Sequence, residues 1–435
     1  MRKHTPCWLI IVSSVILVLM TACGANGVTN TTSTAANGAS QQSTMKASGE
    51  RLYVFDNYAS GANQHIIAFQ PGDTKRLTLP AGLFVQDHKH IYTATPRNGY
   101  TQITVTDTLT GSTIRSFPIP GTYTTAGQNY TTAVLSTDGS WLALREMNQP
   151  HSSTTIALID TQAGKLAKTI QLKGEFDLDA LAPAAKRIYL LERLAGPGSN
   201  YHIRYYNVQS NTLYEMAVID KQDLDPNMVG DALTRQVSND GTFAYTLYTQ
   251  AHHNIAFVHI LSLTGEFFDA RCLDLPVGKN PDLLRYYTLT RSANGSTLYA
   301  VNAALGTITT IDVHAAAVED AHIGTTAHFD PGSNVTGNDT TRMLYNGSQL
   351  SPDQKTLYVI GLHGIWAFNT RNLHKQANYL PQQVFISIAL STRGQTLYAA
   401  YPSSGITTIN TSSGQSQPLA NSPARSPWGL AWITN

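Results

Sequence analysis

The feature that most constrains the fold is a short segment that recurs along nearly the whole chain. A polar turn such as "SPDQ" (Ser351–Gln354) precedes an apolar run headed by Leu-Tyr, here "LYVI" (Leu357–Ile360). Related runs, about 40 to 60 residues apart, begin at Arg51, His90, Trp141, Arg187, Phe243, Leu298, Leu357 and Leu397. Repeats of this length, built from short β-branched and aromatic runs, predict repeated β-sheet units rather than one layered domain.

Each unit contains four predicted strands. One strand stands before the polar turn and the Leu-Tyr strand follows it. Two more strands flank a second turn of the form Asp/Asn-x-x-x-Gly, as in "DTQAG" (Asp160–Gly164). Ser, Asp and Asn bond their own backbone in such turns, so these Asp residues are predicted to be turn residues rather than catalytic acids. The alternating strands leave an apolar face that stacked units can bury and a lone unit cannot.

These units predict an all-β fold, a single β-propeller of four-stranded blades. The first unit lacks a strand before Arg51, and the chain ends with a spare strand at Trp428–Ile433. Pairing that C-terminal strand with the first blade would close the ring and remove two free edges. Eight Leu-Tyr strands favour eight blades, and seven is the alternative because units two to five are less regular.

Three stretches resemble a known repeat. They are "SPDQKTLYVI", "STDGSWLAL" with "IALIDTQAGKLAKTI", and "STRGQTLYAA" with "GITTINTSSG". They are similar to the YVTN-type, lactonase-like propeller repeat, whose pattern is roughly S-P-D-G-K-x-L-Y-V followed by V-x-V-I-D-x-x-T-G-K. The resemblance covers nearly all of 51–435 and implies the fold. It leaves the function open, because such propellers serve many roles.

The N-terminus predicts the location of the chain. Residues 1–22 combine Arg2 and Lys3 with an apolar run that is too short for an ordinary membrane span, as in a secretory signal. "LMTAC", ending at Cys23, resembles a bacterial lipobox, although Met20 stands where Leu is usual. That resemblance implies cleavage before Cys23 and a lipid on its sulfur. The alternatives are a plain secretory signal with a chance Cys and, less favoured, a single-pass anchor that is never cut.

Small and polar residues fill the stretch that follows Cys23, so residues 23–49 are predicted to be a lipidated Cys and a flexible tether. The predicted organisation is therefore a lipoprotein signal peptide at 1–22, this tether, and a propeller at 50–435. The propeller would be held on the outer side of the cytoplasmic membrane, or at the outer membrane if the envelope has one.

Candidate metal ligands are few. Asp220, Asp223 and Asp225 lie in "DKQDLDPNMVGD" with a spacing that partly resembles a calcium loop. This stretch lacks the Gly at position six and the Glu at position twelve of an EF-hand, so an exposed loop without metal is favoured. The pair His252 and His253 is predicted to lie in a solvated turn, because adjacent side chains point apart.

The remaining features bear on chemistry. Cys272 is the third of three cysteines and is predicted to be a small buried apolar residue without a disulfide. A net charge of +1 gives no reason to expect nucleic-acid binding. "ALIDTQAGKLAKTI" matches the first part of the quinone-docking motif of quinoprotein propellers but lacks its Trp, so no cofactor is predicted.

The sequence is therefore interpreted as a binding or protein-interaction scaffold with no evident catalytic constellation. Its partners would be the membrane, through the lipid on Cys23, and an unknown protein or component of the cell envelope. The alternative is a propeller enzyme, either a lactonase-like hydrolase or a quinoprotein-type dehydrogenase, with its site at the central channel. Convergence of three or more His, Asp, Glu or Arg side chains at one channel mouth would favour the enzyme.

Overall fold

Eight sheets, each with four antiparallel strands, form a ring in the computed structural model, which confirms the eight-bladed β-propeller. The structure describes residues 49–56, 64–125, 132–194, 200–220, 222, 225–265, 269–313, 318–331, 344–402 and 405–434. The predicted signal peptide, Cys23, most of the predicted tether and Asp223 lie outside these residues.

The blades are numbered along the chain, and the strands of each are given in spatial order. Blade 1 consists of β33 (Pro427–Thr434), β1 (Arg51–Asp56), β2 (His65–Phe69) and β3 (Arg76–Pro80), and blade 2 of β4 (Leu83–Phe84), β5 (His90–Arg97), β6 (Tyr100–Asp107) and β7 (Thr113–Pro120). Blade 3 consists of β8 (Ala133–Leu135), β9 (Trp141–Arg145), β10 (Ser153–Asp160) and β11 (Lys165–Lys173), and blade 4 of β12 (Phe176–Leu181), β13 (Arg187–Arg193), β14 (Tyr201–Asn207) and β15 (Thr212–Leu213).

Blades 5 to 8 follow the same order. Blade 5 consists of β17 (Asp231–Val237), β18 (Phe243–Gln250), β19 (Ile255–Ser262) and β20 (Asp269–Asp274), and blade 6 of β21 (Tyr287–Arg291), β22 (Thr297–Asn302), β23 (Thr307–Asp312) and β24 (His322–His328). Blade 7 consists of β25 (Ser348–Leu350), β26 (Thr356–Ile360), β27 (Ile365–Asn369) and β28 (Lys375–Tyr379), and blade 8 of β29 (Ser387–Leu390), β30 (Thr396–Ala400), β31 (Ile406–Asn410) and β32 (Ser416–Pro418).

The described residues also form short 3₁₀ helices at Pro183–Ala185, Pro281–Tyr286 and Val318–Asp320. Within the described part of the chain, no helix has the length and apolar character needed to span a bilayer.

The first strands of most neighbouring blades contact one another, as β17 contacts β21 and β21 contacts β25, so they are the inner strands that surround the central channel. The Leu-Tyr segment is the second strand of every blade, as predicted. Its apolar side chains pack between blades: Tyr299 and Val301 of blade 6, for example, share one core cluster with Val359 and Phe368 of blade 7. Burying each such side chain contributes about 1.5–3 kcal/mol to the stability of the fold. Because these side chains lie between blades, the core is a ring of interfaces between neighbouring blades.

The polar turns act as predicted. In "STDG", the Ser136 hydroxyl donates to the Asp138 carboxylate at 2.6 Å and accepts the Trp141 N–H at 2.9 Å. The same pair of bonds recurs at Ser238, Ser292 and Ser351. These turns fix the step from each inner strand to the Leu-Tyr strand, because they satisfy backbone donors that the sheet leaves unpaired.

The C-terminal strand closes the ring. β33 pairs with β1 from Arg51 opposite Thr434 to Asp56 opposite Pro427. Trp432 of β33 stacks on Tyr53 of β1, with 4.5 Å between ring centroids. This pairing confirms the predicted closing strand.

Blade 5 departs from the four-stranded pattern. β16 (Ile219–Asp220) adds a fifth, parallel strand beside β20. The prediction of an exposed loop over 220–231 is therefore wrong at its first residue, because Asp220 is only 7% exposed. Its carboxylate accepts the Cys272 N–H at 2.9 Å and lies 3.3 Å from the Arg271 guanidinium, and these contacts hold the added strand in place.

Candidate ligand-binding cavity in the central channel

A cavity of about 510 Å³ lies along the inner strands β17, β21 and β25 of blades 5, 6 and 7. Gln86, in the turn after β4 of blade 2, also lines it. Blade 2 lies opposite blade 6 in an eight-membered ring, so the cavity reaches across the channel. Six side-chain amides contribute to its wall, those of Gln86, Gln236, Asn239, Asn346, Gln349 and Gln354.

Several of these amides link inner strands that belong to different sheets. Gln236 Nε2 donates to the Leu289 carbonyl at 3.2 Å, Gln349 Oε1 accepts the Leu390 N–H at 2.9 Å, and Asn346 Nδ2 donates to the Leu430 carbonyl at 2.7 Å. No sheet hydrogen bond can make these connections, because each sheet ends at its own inner strand. The amides therefore fix the shape of the cavity wall.

Some polar groups of the wall keep unused capacity. Gln236 Oε1 and Gln349 Nε2 make no hydrogen bond within the described residues, since each amide uses only its other atom. The exposed amide of Gln86 makes none there either. A ligand in the channel can therefore meet both donors and an acceptor.

Arg291, the last residue of β21, is the charged side chain that the described residues place in this wall. Its Nη1 donates to Asn239 Oδ1 at 2.7 Å, while its Nε is buried with no partner among the described residues. Burial lowers the pKa of Arg291, and the nearby Tyr245 and Asp240 act in the opposite direction. The guanidinium is thus only partly satisfied.

A smaller cavity, of about 380 Å³, adjoins the first and shares Gln86 and Asn239 with it. Its wall includes two carboxylates, which are bound within their own turns. Asp87 accepts the Lys89 N–H at 3.0 Å, and Asp138 accepts the hydroxyls of Ser136 and Ser140. Burial opposes ionisation of Asp138, but these hydrogen bonds outweigh it and lower its pKa. Asp138 is a turn residue, as the sequence predicts, and Asp87, for which no prediction was made, is bound in a similar way.

The predicted metal candidates lie elsewhere. Asp220 pairs with Arg271 as described above, and Asp225 accepts the backbone N–H and the side-chain amide of Asn227 at 2.9 and 2.8 Å. Asp223 is not among the described residues. No group of three or more His, Cys, Asp or Glu side chains that could hold a metal ion occurs in the part of the chain that the structure describes.

Two further predictions can be compared with the structure. His252 and His253 lie in the exposed turn between β18 and β19, with 5.1 Å between their ring centroids, which confirms a turn. Cys272 lies in β20 and is half-buried rather than buried, because it is near the outer edge of its blade, beside the short β16.

A buried polar row between blades 4 and 5 has no counterpart in the sequence predictions. Arg235 of β17 donates to Asp179 of β12, and its Nε donates to the Thr246 hydroxyl at 2.9 Å. Thr246 is paired in register with Arg235 on one side and with His259 on the other. The signal was available in "FDLDAL", because acidic residues at alternate positions of an apolar strand require buried partners.

Comparisons with known proteins identify the fold of this chain and leave its family and function open. The sequence matches no protein-family model, and no curated protein sequence matches it. The YVTN-type pattern therefore remains a resemblance.

Among solved structures, dihydro-heme d1 dehydrogenase NirN, in complex with DHE, is similar with a TM-score of 0.53 and 14% identity, over 90% of this chain and 76% of that chain. Citrobacter koseri AztD is similar with a TM-score of 0.52 and 10% identity, over 88% of this chain and 97% of that one. A putative 6-phosphogluconolactonase from Bacteroides uniformis gives a TM-score of 0.45 and 14% identity, over 88% and 98%. At these identities the likeness to the first two structures shows the β-propeller fold alone.

Proposed function

We propose that this chain is a lipid-anchored, extracytoplasmic binding protein whose propeller holds a small polar ligand in the cavity of its central channel. The observation that carries the proposal is the wall of that cavity. Amide and hydroxyl groups from three adjacent blades converge there with Arg291, and Gln86 reaches it from the opposite side of the ring. A pocket with a few convergent polar groups is the usual form of a specific small-molecule site.

Size and rigidity support the same role. A volume of about 510 Å³ falls within the usual range for ligand pockets. The hydrogen bonds of Gln236, Gln349 and Asn346 join the inner strands through protein groups alone. A wall held in this way needs little ordering when a ligand enters, which favours affinity.

The anchor rests on the N-terminal sequence, where a short apolar run ends in "LMTAC" at Cys23. The tether that follows would leave the propeller free to meet a protein or cell-envelope partner with its channel face. Metabolic labelling with radioactive palmitate in a bacterial host should mark the wild type and the Cys272→Ser control, and Cys23→Ser should carry no label. Equal labelling of Cys23→Ser and wild type would remove the anchor from the proposal.

The binding role is tested by blocking the cavity at an exposed position. Gln86→Trp would fill space shared by both cavities, and Gln171→Trp, on an exposed position of the outer strand β11, is the matched control. Thermal unfolding would be measured with neutral sugars, amino acids, carboxylates, phosphates, Ca²⁺, EDTA, pyrroloquinoline quinone and lactones. A ligand at 100 times its Kd adds about 2.7 kcal/mol of stability.

We expect at least one compound to raise the unfolding midpoint of the wild type and of Gln171→Trp but not of Gln86→Trp. A shift that survives unchanged in Gln86→Trp would place binding outside the channel. The same samples test the enzyme alternative, because turnover of a lactone or quinone-dependent oxidation that is lost in Gln86→Trp would indicate catalysis in the channel.

A further inference from the structure

We propose that the channel cavity recognises an oxyanion, the carboxylate or phosphate group of a small organic ligand, with Arg291 as its anchor. This inference rests on the proposed function and specifies the chemical class of its ligand. It is argued from the position of Arg291 among the charges of the fold.

Three partly buried arginines on or beside the inner strands have carboxylate partners. Arg145 and Arg193 pair with Asp177, and Arg235 pairs with Asp179. These pairs are expected, because a guanidinium withdrawn from water is costly unless an anion or several acceptors replace the water. Arg291 departs from this pattern, since its one hydrogen bond within the described residues goes to the neutral amide of Asn239.

The guanidinium of Arg291 has hydrogen-bonding capacity that the described residues do not use. Nε is buried without a partner among the described residues, so the guanidinium gains a hydrogen bond if it turns toward an acceptor in the cavity. A planar guanidinium binds carboxylate and phosphate groups with two parallel bonds, which is the strongest arrangement open to it. The neighbouring donor Gln349 Nε2 and the amide of Gln86 would add further bonds.

The charge on the wall of this cavity favours an anion, and the two carboxylates of the adjoining cavity, Asp87 and Asp138, are bound within their own turns. The described residues of the cavity wall include Arg291 and no carboxylate. Asp240 acts on Arg291 from a distance, but its own carboxylate accepts the hydroxyls of Ser238 and Thr242 at 2.6 and 2.8 Å. A cleft whose wall carries charge of one sign raises the local concentration of ions of the opposite sign, here anions.

The test compares anions with neutral analogues on the purified protein. The probes are succinate against succinamide, glycerol phosphate against glycerol, and inorganic phosphate against chloride at equal ionic strength. The variants are Arg291→Gln, Arg291→Lys and the exposed control Arg371→Gln, which removes the same charge from the surface. Calorimetric titration gives the Kd, and thermal unfolding without ligand confirms that each variant is folded.

We expect at least one anion to bind the wild type and Arg371→Gln, and its neutral analogue to bind at least tenfold more weakly. Arg291→Gln should weaken binding of that anion about tenfold or more, because a charge-assisted bond is lost, and Arg291→Lys should weaken it less. Whether succinate or a phosphate binds then distinguishes a carboxylate ligand from a phosphate ligand.

Two results would overturn the inference in different ways. If a neutral compound binds in a manner sensitive to Gln86→Trp but not to Arg291→Gln, the channel is a binding site and the oxyanion assignment is wrong. If none of the anions binds, or if anions bind Arg291→Gln as tightly as the wild type, the assignment also fails. In that case the Gln86→Trp experiment alone decides the proposed function.

Discussion

At the scale of single residues, His259 shows how the fold fixes a protonation state. It lies on β19, 1% exposed, and its Nε2 has no partner among the described residues. Burial lowers the pKa of His259 to about 4, while Asp179 and Asp220 act to raise it and Arg235 to lower it. The ring is therefore neutral at pH 7 and stays neutral well below the pH at which an exposed histidine is protonated.

This state predicts a pH-dependent stability. Between pH 6.5 and about 4 the unfolded chain binds a proton at His259 that the folded chain does not, so stability falls as the pH drops through this window. The loss should reach about 3 kcal/mol. Urea unfolding of His259→Asn at pH 7.5, 5.5 and 4.5 should show a weaker pH dependence than the wild type.

Two other histidines extend that measurement, one as a second contributor and one as a control. His88, whose pKa burial also lowers to about 4, should contribute in the same direction, so His88→Asn should reduce the pH dependence as well. The exposed His374→Asn should leave it unchanged. An identical pH dependence in His259→Asn and wild type would show that His259 is not held neutral.

At the scale of elements, the inner strands β12 and β17 belong to different sheets and are joined through the Asp179–Arg235 pair. Both side chains are largely buried, and Arg235 Nη1 also donates to the Asp179 carbonyl. Asp179→Asn would leave a buried guanidinium without its anion, which should lower the free energy of unfolding by about 3–5 kcal/mol. Asp353→Asn, in an exposed turn that an amide can also support, should change it by less than about 0.5 kcal/mol.

Urea unfolding of both variants at pH 7 checks this prediction. A loss below about 1 kcal/mol in Asp179→Asn would mean that water or a rotated side chain replaces the pair. The double variant Asp179→Leu with Arg235→Met should lose less than Asp179→Asn, since it removes the unpaired charge as well as the pair.

Elements of this fold were largely predictable because their signals are local. The Ser136-to-Trp141 turn bonds and the short apolar strand that follows them lie within ten residues, so they can be read from one repeat. β16 was missed, because two residues carry no period and its pairing with β20 joins positions about 50 residues apart. Asp220 consequently changed from a predicted loop residue to a buried partner of Arg271.

The cavity was not predictable in the same way. Gln236, Arg291 and Gln349 each lie on the first strand of a blade, separated from one another by about 55 residues. Each looks like an ordinary polar residue beside its own turn. Only the ring brings them to one wall, so the central channel was predicted as a place for a site while its residues were not.

At the scale of the whole molecule, eight blades produce a channel whose wall is shared by all inner strands. Every blade has a neighbour on both sides, and the eight core clusters each join two adjacent blades. The last of these interfaces depends on β33 and on Glu50, whose carboxylate accepts the Thr392 N–H and hydroxyl of blade 8 at 2.7 and 2.6 Å. The cavity therefore depends on closure as much as on its own residues.

Covalent closure of the ring should stabilise the whole molecule. Arg51 of β1 lies opposite Thr434 of β33, and both side chains are partly exposed. Opposed residues of antiparallel strands have Cβ atoms about 4.5–5.5 Å apart, which a small backbone shift brings within disulfide range. A cystine formed by Arg51→Cys with Thr434→Cys would restrict the unfolded chain over nearly the whole propeller, and should add about 2–5 kcal/mol.

The measurement is urea unfolding of the oxidised and reduced double variant, with thiol titration to show that Cys272 alone stays free in residues 49–435. Reduction of the disulfide should lower the unfolding midpoint of the double variant. The reduced form carries the same two substitutions without the bond, so it is the internal control. Because β33 is the one strand that joins the two ends of the propeller, a closed ring should also unfold more slowly, as no free end of β1 can separate first. Equal midpoints in the two redox states would mean that strain in the folded protein offsets the entropy lost by the unfolded chain. Equal unfolding rates would mean that unfolding begins at another blade, with the β1–β33 pairing still intact.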